Sequence, residues 1–353
     1  MFNLNMNNMK RTTLILLSLL LLNLMGLYAQ KYDVSVQKIW DNGSHTAFTS
    51  LIEFKGKYYC SFREGFGHVF NKEGKAEGKI RILASADGNT WESVALMHKP
   101  EFDLRDPKLS VTPDGRLMVM IGGSVYKEKK LEAQIPHVSF SEDGKNFTEP
   151  VPVKFKDNIG VNFDWLWRVT WNGTLGYVVD YSKKDNVQLL SLLKTKDGIL
   201  YEFVSELNVP DFPNETTVRF LPDETMLLMV RREKADRGTY WGVSKPPYTE
   251  WSWTNLNMFV GGPDFIVLND GRIIAGGRSS YLPKSPKTVL YLGNKDGEFE
   301  ERYVLPSGGD NSYPGMLVVG DQLWVSYYST HETPKASIYL AKLPLSVFDV
   351  YKK

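Results

Sequence analysis

The sequence has one cysteine among its 353 residues, and it has no excess of charge of either sign. Because Cys60 stands alone, an internal disulfide is excluded, and its apolar neighbours favour a buried structural thiol. The 42 lysine and arginine residues balance 41 aspartate and glutamate residues, and the chain carries no basic arm or acidic tail. This balance argues against a nucleic-acid partner.

Two kinds of site are also missing from the sequence. No spacing of histidines and cysteines resembles a zinc site, and no glycine-rich phosphate loop leads from a strand into a helix. We therefore expect neither a bound metal nor a cofactor. Aromatic residues, in contrast, make up 13% of the chain, and such residues often fill β-sheet cores or stack on ligand rings.

The first thirty residues differ in composition from the rest. Basic residues precede an apolar run over Leu14–Leu22, and the segment closes at the small residue Ala29. The run is short for a membrane span, so we interpret residues 1–29 as a secretory signal peptide; a retained N-terminal anchor is the alternative. We expect the mature chain, residues 30–353, to be a single exported domain without a membrane span, located in the periplasm or outside the cell.

One unit recurs six times in the mature chain: an apolar strand, a short polar turn and a second apolar strand. These inner hairpins repeat about every 50 residues, the spacing of a repeat architecture. Their turns are Lys55-Gly56, Pro113-Asp114-Gly115, Asn172-Gly173, Pro222-Asp223-Glu224, Asn269-Asp270-Gly271 and Gly320-Asp321. Asn-Gly and Asp-Gly steps tolerate the positive φ that tight hairpin turns require, so the pattern predicts an all-β chain.

A second type of hairpin alternates with the first. Its clearest copies are Ser85–Trp91 and Ser141–Phe147, with weaker copies at Thr195–Gly198 and Asn294–Gly297. In these turns we expect the aspartate to accept hydrogen bonds from backbone amides, the glycine to take the strained position and the aromatic residue to pack between sheets. The turn is interpreted as structural, not catalytic.

Two hairpins per unit make a four-stranded sheet, which is one blade of a propeller. The sequence thus predicts a six-bladed β-propeller. The sixth blade lacks a strand at the C-terminal end, and the segment Tyr32–Ile39 can supply it, which would close the ring and remove the free edge.

Polar and aromatic residues gather beside the inner hairpins, where a propeller has the mouth of its central channel. Examples are Asp106 before the second inner hairpin, Glu215 before the fourth and Tyr313 before the sixth. Carboxyl groups for acid–base catalysis together with arginines for a substrate carboxylate suit the hydrolysis of glycosides. We therefore predict a glycan or oligosaccharide partner.

The second hairpin, Ser-x-Asp-Gly-x-Thr-Trp, resembles the Asp box of the sialidase-like superfamily, and the overall pattern is similar to exported Bacteroidetes proteins of that kind. Asn214-Glu215 is similar to the family's Asn-Glu step, and Tyr313 occupies the place of its tyrosine nucleophile. The resemblance implies that Glu215 activates Tyr313 and that Arg231 or Arg232, together with Arg278, binds the carboxylate of an acidic sugar. Sialidases are the known tyrosine-nucleophile exception among glycosidases.

The sequence departs from the family at the first blade. The strand that begins at His45 carries no arginine, so Arg63 or Arg105 is expected to replace the first arginine of the family's triad. The candidates for the acid/base are Asp106, Glu64 and His68. Two further predicted substrate-binding residues are Arg168 and Trp167, and Trp167 fits an interblade core equally well.

Three functions follow from the sequence as alternatives. The first is an exo-acting glycoside hydrolase that removes a terminal, acidic sugar. The second is a non-catalytic glycan-binding propeller, in which the missing arginine marks lost chemistry. The third is a polysaccharide lyase or rhamnosidase-type enzyme, with His45, His68 or His331 as its catalytic histidine. A shared scaffold does not choose among them.

Overall fold

The computed structural model describes residues 32–349 except 72, 157–159, 186, 235 and 280–285. The segment predicted to be a signal peptide lies outside the described residues. The described strands form six sheets, whose strands are antiparallel apart from one short parallel pair. The innermost strand of each sheet contacts the innermost strand of the next, so the sheets form a closed ring. The predicted six-bladed β-propeller is confirmed. No helix in the described part of the chain is long and apolar enough to cross a membrane.

The blades follow one another along the chain, each running from an inner strand outward. Blade one contains β2 (His45–Phe54), β3 (Lys57–Gly65), β4 (Lys79–Ser85) and β5 (Glu92–Met97). Blade two contains β6 (Asp103–Val111), β7 (Leu117–Lys127), β8 (Lys130–Gln134), β9 (His137–Ser141) and β10 (Val151–Pro152). Blade three contains β11 (Lys154–Phe155), β12 (Thr170–Asn172), β13 (Leu175–Lys184), β14 (Val187–Thr195) and β15 (Leu200–Glu206). In blade two β8 pairs only with β7, and in blade three β11 runs parallel to β15.

Blades four to six repeat this plan without additions. Blade four contains β16 (Pro213–Phe220), β17 (Met226–Arg232), β18 (Tyr240–Ser244) and β19 (Ser252–Asn255). Blade five contains β20 (Gly261–Val267), β21 (Ile273–Arg278), β22 (Thr288–Gly293) and β23 (Phe299–Val304). Blade six contains β24 (Asn311–Val319), β25 (Gln322–Ser329) and β26 (Ser337–Pro344). A short 3-10 helix, Leu345–Phe348, follows β26. All six predicted inner hairpins are present.

The N-terminal strand closes the ring, as predicted from the sequence. Strand β1 (Ser35–Trp40) pairs antiparallel with β26 and so becomes the outer strand of blade six. The last blade therefore combines strands from both ends of the described chain, and β26 does not remain an open edge.

The turns of the second hairpin type have the hydrogen bonds predicted for them. The Asp87 carboxylate accepts the backbone N–H groups of Asn89 and Thr90 at 2.8 and 2.9 Å. Gly88 has a φ of 70°, and a Cβ at this position would lie 2.0 Å from the Trp324 ring of the neighbouring blade. Glycine is therefore required both by the turn and by the close packing of blade six against blade one.

Five of the six inner strands begin earlier than predicted, and each of these five contains a β-bulge. The register shifts fall between Ala47 and Ser50, Arg105 and Lys108, Pro213 and Thr216, Gly261 and Asp264, and Ser312 and Gly315. Three residues in these bulges adopt a positive φ that side chains rarely take: Phe48 (66°), Asp106 (47°) and Tyr313 (51°). Such bulges re-aim side chains, and strained residues of this kind cluster at functional sites.

Candidate active site

Three side chains from two blades, four and six, meet near the bulged ends of the inner strands. The Tyr313 hydroxyl donates to Glu215 Oε1 at 2.7 Å, and Arg231 Nη1 donates to Glu215 Oε2 at 2.6 Å and to the Tyr313 oxygen at 3.1 Å. Tyr313 lies in β24, Glu215 in β16 and Arg231 in β17. The structure thus brings together the tyrosine, the glutamate and one arginine that the sequence singled out.

This group is buried and tightly positioned. Tyr313, Glu215 and Arg231 are each 7% exposed. The backbone N–H of Gly262 donates to Glu215 Oε2 at 3.0 Å, and a Cβ at Gly262 would lie 2.5 Å from the Tyr313 ring. The bulge in β20 therefore needs glycine to let its backbone reach the glutamate while the tyrosine ring passes close by.

The protonation state of Tyr313 follows from its surroundings. Burial raises the pKa of Tyr313 well above its usual range, the charge of Glu215 raises it further, and the charges of Arg231 and Arg278 act in the opposite direction. The tyrosine is therefore a neutral phenol whose proton points at a carboxylate. A nucleophile hydrogen-bonded to a base in this way is the arrangement of covalent catalysis.

Aromatic rings surround Tyr313 on several sides. Its ring centroid lies 5.0 Å from that of Phe48, 5.8 Å from Trp167 and 6.0 Å from Tyr328. Phe48 also packs against His68, at 5.3 Å, so His68 and Tyr313 share this ring as a neighbour. The walls are apolar, and such walls strengthen the electrostatic interactions inside the site.

Beside the tyrosine, Asp310 is the centre of a second group. His45 Nε2 and His68 Nδ1 lie 3.0 and 2.8 Å from Asp310 Oδ2. The Tyr328 hydroxyl donates to Asp310 Oδ1 at 2.9 Å, and Arg278 Nη2 approaches the same oxygen at 3.3 Å. Burial alone would raise the pKa of Asp310, but the two histidines and the arginine hold it well below its usual range.

A third group lies deeper, on the bulged strand β6. Asp106 is buried, and its Oδ1 has no hydrogen-bond partner in the described structure. Burial raises its pKa, and the charge of Glu215 adds to this effect against the opposing charges of Lys108 and Arg105. Lys108 donates to the Thr49 carbonyl at 3.1 Å, and burial lowers its pKa. Burial therefore disfavours the charged forms of both Asp106 and Lys108.

Of the predicted arginines, Arg231 and Arg278 reach the Tyr313 group, and Arg105 lies over the Phe48 ring with 5.1 Å between its guanidinium carbon and the ring centroid. Arg232 faces away from the site. Because neighbouring residues of a strand point to opposite faces, its guanidinium donates to Asp211 at 2.8 Å and to the Gly238 carbonyl at 2.6 Å. Arg232, predicted to bind substrate, is therefore engaged on the face opposite Arg231.

Three other predicted site residues are also engaged within the protein. Arg63 is fully buried and paired with Asp103 at 2.8 Å, so it cannot reach a ligand. Glu64, on the opposite face of β3, accepts two hydrogen bonds from Arg81, at 2.6 and 3.1 Å, and does not contact the Tyr313 group. Trp167 is fully buried against Tyr313 and Lys108, so it is core and not a sugar platform.

Arg168 is also a structural residue. It lies 3.4 Å from Asp264 Oδ2, from Ser50 Oγ and from the carbonyl of Pro314, the residue after Tyr313. These contacts join four blades around the axis of the ring. The predicted role of Arg168 in substrate binding is not supported, although it fixes the backbone next to the tyrosine.

Sequence reasoning did not select Lys108, Asp310 or Tyr328 as site residues. Lys108 follows Asp106 by two positions, but the bulge between Arg105 and Lys108 interrupts the alternation of faces that would have linked them. Asp310 and Tyr328 stood near the predicted channel mouth, but nothing in the sequence indicated that two histidines and an arginine from other blades converge on Asp310.

One group of side chains in the described part of the chain has the ligand types of a metal site, namely His45, His68 and Asp310. The buried Nδ1 of His45 has no partner there. If Nε2 donates to Asp310, this Nδ1 carries only a lone pair, whereas metal binding through Nε2 would bury an unpaired N–H. The contacts therefore fit a hydrogen-bonded network better than a metal centre.

Solved structures with a similar fold come from several organisms. A protein of unknown function from Dyadobacter fermentans matches with a TM-score of 0.74 and 17% identity, over 88% of this chain and 99% of that one. Trypanosoma rangeli sialidase, in complex with the inhibitor DANA, matches with a TM-score of 0.68 and 11% identity over 88% of this chain, which spans 59% of the sialidase. An α-L-arabinofuranosidase from Fusarium graminearum matches at 0.65 and 15%, over 89% and 98% of the two chains.

These likenesses place the chain among the six-bladed propellers with the sialidase-like fold. At identities of 10 to 17% they concern the fold alone. No protein-family model and no curated protein matches the sequence. The side chains of this site, and not the likeness of the fold, therefore indicate which reaction it can catalyse.

Proposed function

We propose that the protein is an exo-acting glycoside hydrolase that removes a terminal sugar from glycans. The observation that carries the proposal is the contact of Tyr313 with Glu215 and Arg231, a neutral phenol hydrogen-bonded to a buried carboxylate. Neighbours with this fold include both sialidases and an arabinofuranosidase, so hydrolysis of different glycosides occurs on it. Following the sequence prediction, we further propose that the protein works after export.

In the proposed first step the Tyr313 oxygen attacks the anomeric carbon. Its proton passes to Glu215 Oε1, 2.7 Å away, while the bond between the anomeric carbon and the leaving-group oxygen breaks. Arg231 donates to both the tyrosine oxygen and Glu215, so it stabilises negative charge on either atom. Water then attacks the anomeric carbon and loses a proton to the acid/base, while the bond to Tyr313 breaks and Glu215 returns its proton to the tyrosine oxygen. The two displacements give net retention of the anomeric configuration.

The leaving-group oxygen needs a proton donor on the solvent side of the sugar, because the remaining glycan must extend out of the channel. His68 is 48% exposed, whereas Asp106 is buried. We therefore assign the acid/base role to His68, with Asp310 holding its Nδ1 so that Nε2 faces away from the carboxylate. Asp106, with its unpartnered oxygen, is assigned to a sugar hydroxyl.

The predicted acidic sugar depends on a carboxylate-binding set of three arginines. Two of them, Arg231 and Arg278, lie at the site, and His45 begins the strand where the first was expected. Both arginines are already hydrogen-bonded to carboxylates of the protein, Glu215 and Asp310. This pairing leaves the charge of the sugar open within the proposal.

The proposal is tested with Tyr313→Phe and Glu215→Gln, assayed for release of terminal sugars from a panel of aryl glycosides and glycans. We expect each variant to lose at least about 10³-fold in kcat/KM, as removal of a nucleophile or its base does. Tyr327→Phe is the matched control: it removes another buried tyrosine hydroxyl, one bonded to the Pro306 carbonyl. Unchanged turnover in both site variants would sink the assignment.

The same assays separate the two alternatives. Tight glycan binding in calorimetry without any product would favour the binding module. An unsaturated product that absorbs in the near ultraviolet would favour a lyase. His331, one of the histidines predicted for that reaction, packs against Tyr339 at 4.7 Å and lies 2.9 Å from Ser329 Oγ, so it belongs to the β25–β26 side of blade six.

A further inference from the structure

We infer that the terminal sugar accepted by this site is uncharged, because the side chain of Asp310 occupies the cationic groups that a sugar carboxylate would need. The inference rests on the proposed function and names the substrate class of the same site. It departs from the acidic sugar expected from the sequence.

The surroundings of Asp310 are those of a bound anion. Four side chains from blades one, five and six direct donors at its two oxygens: His45 and His68 at Oδ2, and Tyr328 and Arg278 at Oδ1. Arg278 also donates through Nε and Nη2 to the Asn311 carbonyl, at 3.0 and 2.6 Å. The Nε and Nη2 groups of its guanidinium are therefore already engaged by the protein.

The other arginines near the tyrosine are matched in the same way. Arg231 binds Glu215 through Nη1, and its Nη2 lies 2.7 Å from Glu233 Oε1. Arg105 lies 3.3 Å from Asp103 and faces the charge of its neighbour Asp106. A carboxylate entering this site would find each of these guanidinium groups next to an existing negative charge.

The charge balance decides against an anionic sugar. Each guanidinium group near Tyr313 already has a carboxylate partner: Glu215 and Glu233 for Arg231, Asp310 for Arg278, and Asp103 for Arg105. A sugar carboxylate would be repelled by these carboxylates at short range in a poorly solvated site, where interactions between charges are strong. Hydroxyl and apolar groups of a neutral sugar meet no such penalty.

The test measures binding of the carboxylate-bearing inhibitor DANA to the wild-type protein, Asp310→Asn and Asp211→Asn by calorimetry. Asp310→Asn keeps the shape of the side chain and removes the negative charge that Arg278 and the two histidines now face. Asp211→Asn removes the same charge at a partner of Arg232, which faces away from the site. We expect Asp310→Asn to bind DANA at least about tenfold more tightly than wild type, a gain equivalent to one pKa unit of differential interaction, and Asp211→Asn to behave like wild type.

If the wild-type protein bound DANA as tightly as Asp310→Asn does, the inference would be overturned. Asp310→Ser provides a second variant that also removes the charge, and thermal melting of all variants reports folding. Turnover of neutral and acidic aryl glycosides by the wild type separates the two claims. Cleavage of acidic members at rates equal to or above neutral ones contradicts the uncharged sugar, whereas no cleavage of any member contradicts the hydrolase and leaves the DANA comparison decisive.

Discussion

Replacing His68 by alanine should make hydrolysis depend strongly on the leaving group. His68 Nδ1 lies 2.8 Å from Asp310, its ring packs against Phe48 at 5.3 Å, and nearly half of the side chain is exposed. The substitution removes the group assigned to protonate the leaving oxygen while Tyr313 and Glu215 keep their contact. General acid catalysis contributes about 10²- to 10⁴-fold.

The expected loss follows from how firmly the imidazole is held. Asp310 and Phe48 fix its orientation from two sides, so we expect a loss of about 10³-fold in kcat/KM for glycosides with alcohol leaving groups. For activated aryl glycosides, whose leaving groups depart without a proton, the loss should stay below about tenfold. The assay is a series of aryl and alkyl glycosides of whichever sugar the wild type cleaves.

His98→Ala is the matched control, since His98 is an exposed histidine just beyond β5. It should leave the whole series unchanged. Equal losses on alcohol and activated aryl leaving groups in His68→Ala would refute the assignment. If Asp106→Asn, and not His68→Ala, lost activity only on glycosides with alcohol leaving groups, the acid would be Asp106 and not His68.

Other predictions concern groups outside the catalytic contact. Burial lowers the pKa of His137 to about 4, so the unfolded state binds more protons than the folded state between pH 4 and 6.5. The free energy of unfolding should therefore fall by up to about 3 kcal/mol as the pH drops through this window. Denaturant titrations of His137→Gln should no longer show this pH dependence. Asp264→Asn should lower the free energy of unfolding by about 3 kcal/mol in calorimetry, because it leaves the buried Arg168 and the half-buried Arg219 without their carboxylate. Asp114→Asn, at an exposed pair, should lower it by less than about 1 kcal/mol. Burial raises the pKa of Cys60 to about 12, so a thiol reagent should modify it only after unfolding; rapid labelling of the native protein would contradict its burial.

The sequence predicted the propeller because its evidence is local. Each hairpin turn carries its own Asn, Asp and Gly, and the Asp87 turn forms the hydrogen bonds that its residue types require. The contact between Glu215 and Tyr313, 98 residues apart, followed from the equivalent places of both residues in their blades and from a family resemblance. Because the blades repeat, two residues far apart in the sequence could be placed by their equivalent positions within the repeat.

What the sequence did not predict depends on geometry between blades. Arg63 and Glu64 stand next to each other, and only the pairing of β3 shows that one points at Asp103 and the other at Arg81. The bulges change the register of the inner strands at the site itself, where simple alternation of faces fails. The anion-like surroundings of Asp310 need donors from three blades, which no local pattern encodes.

The central claim is that Tyr313 attacks the sugar, and trapping the covalent intermediate tests it most directly. A fluorinated glycoside of the cleaved sugar slows release of the sugar from the enzyme, so mass spectrometry of the digested protein can locate the bond. We predict that the sugar is attached to the peptide containing Tyr313 and that Glu215→Gln prevents the labelling. A sugar found on a carboxylate such as Asp106, or no labelled peptide during active turnover, would contradict the proposed mechanism.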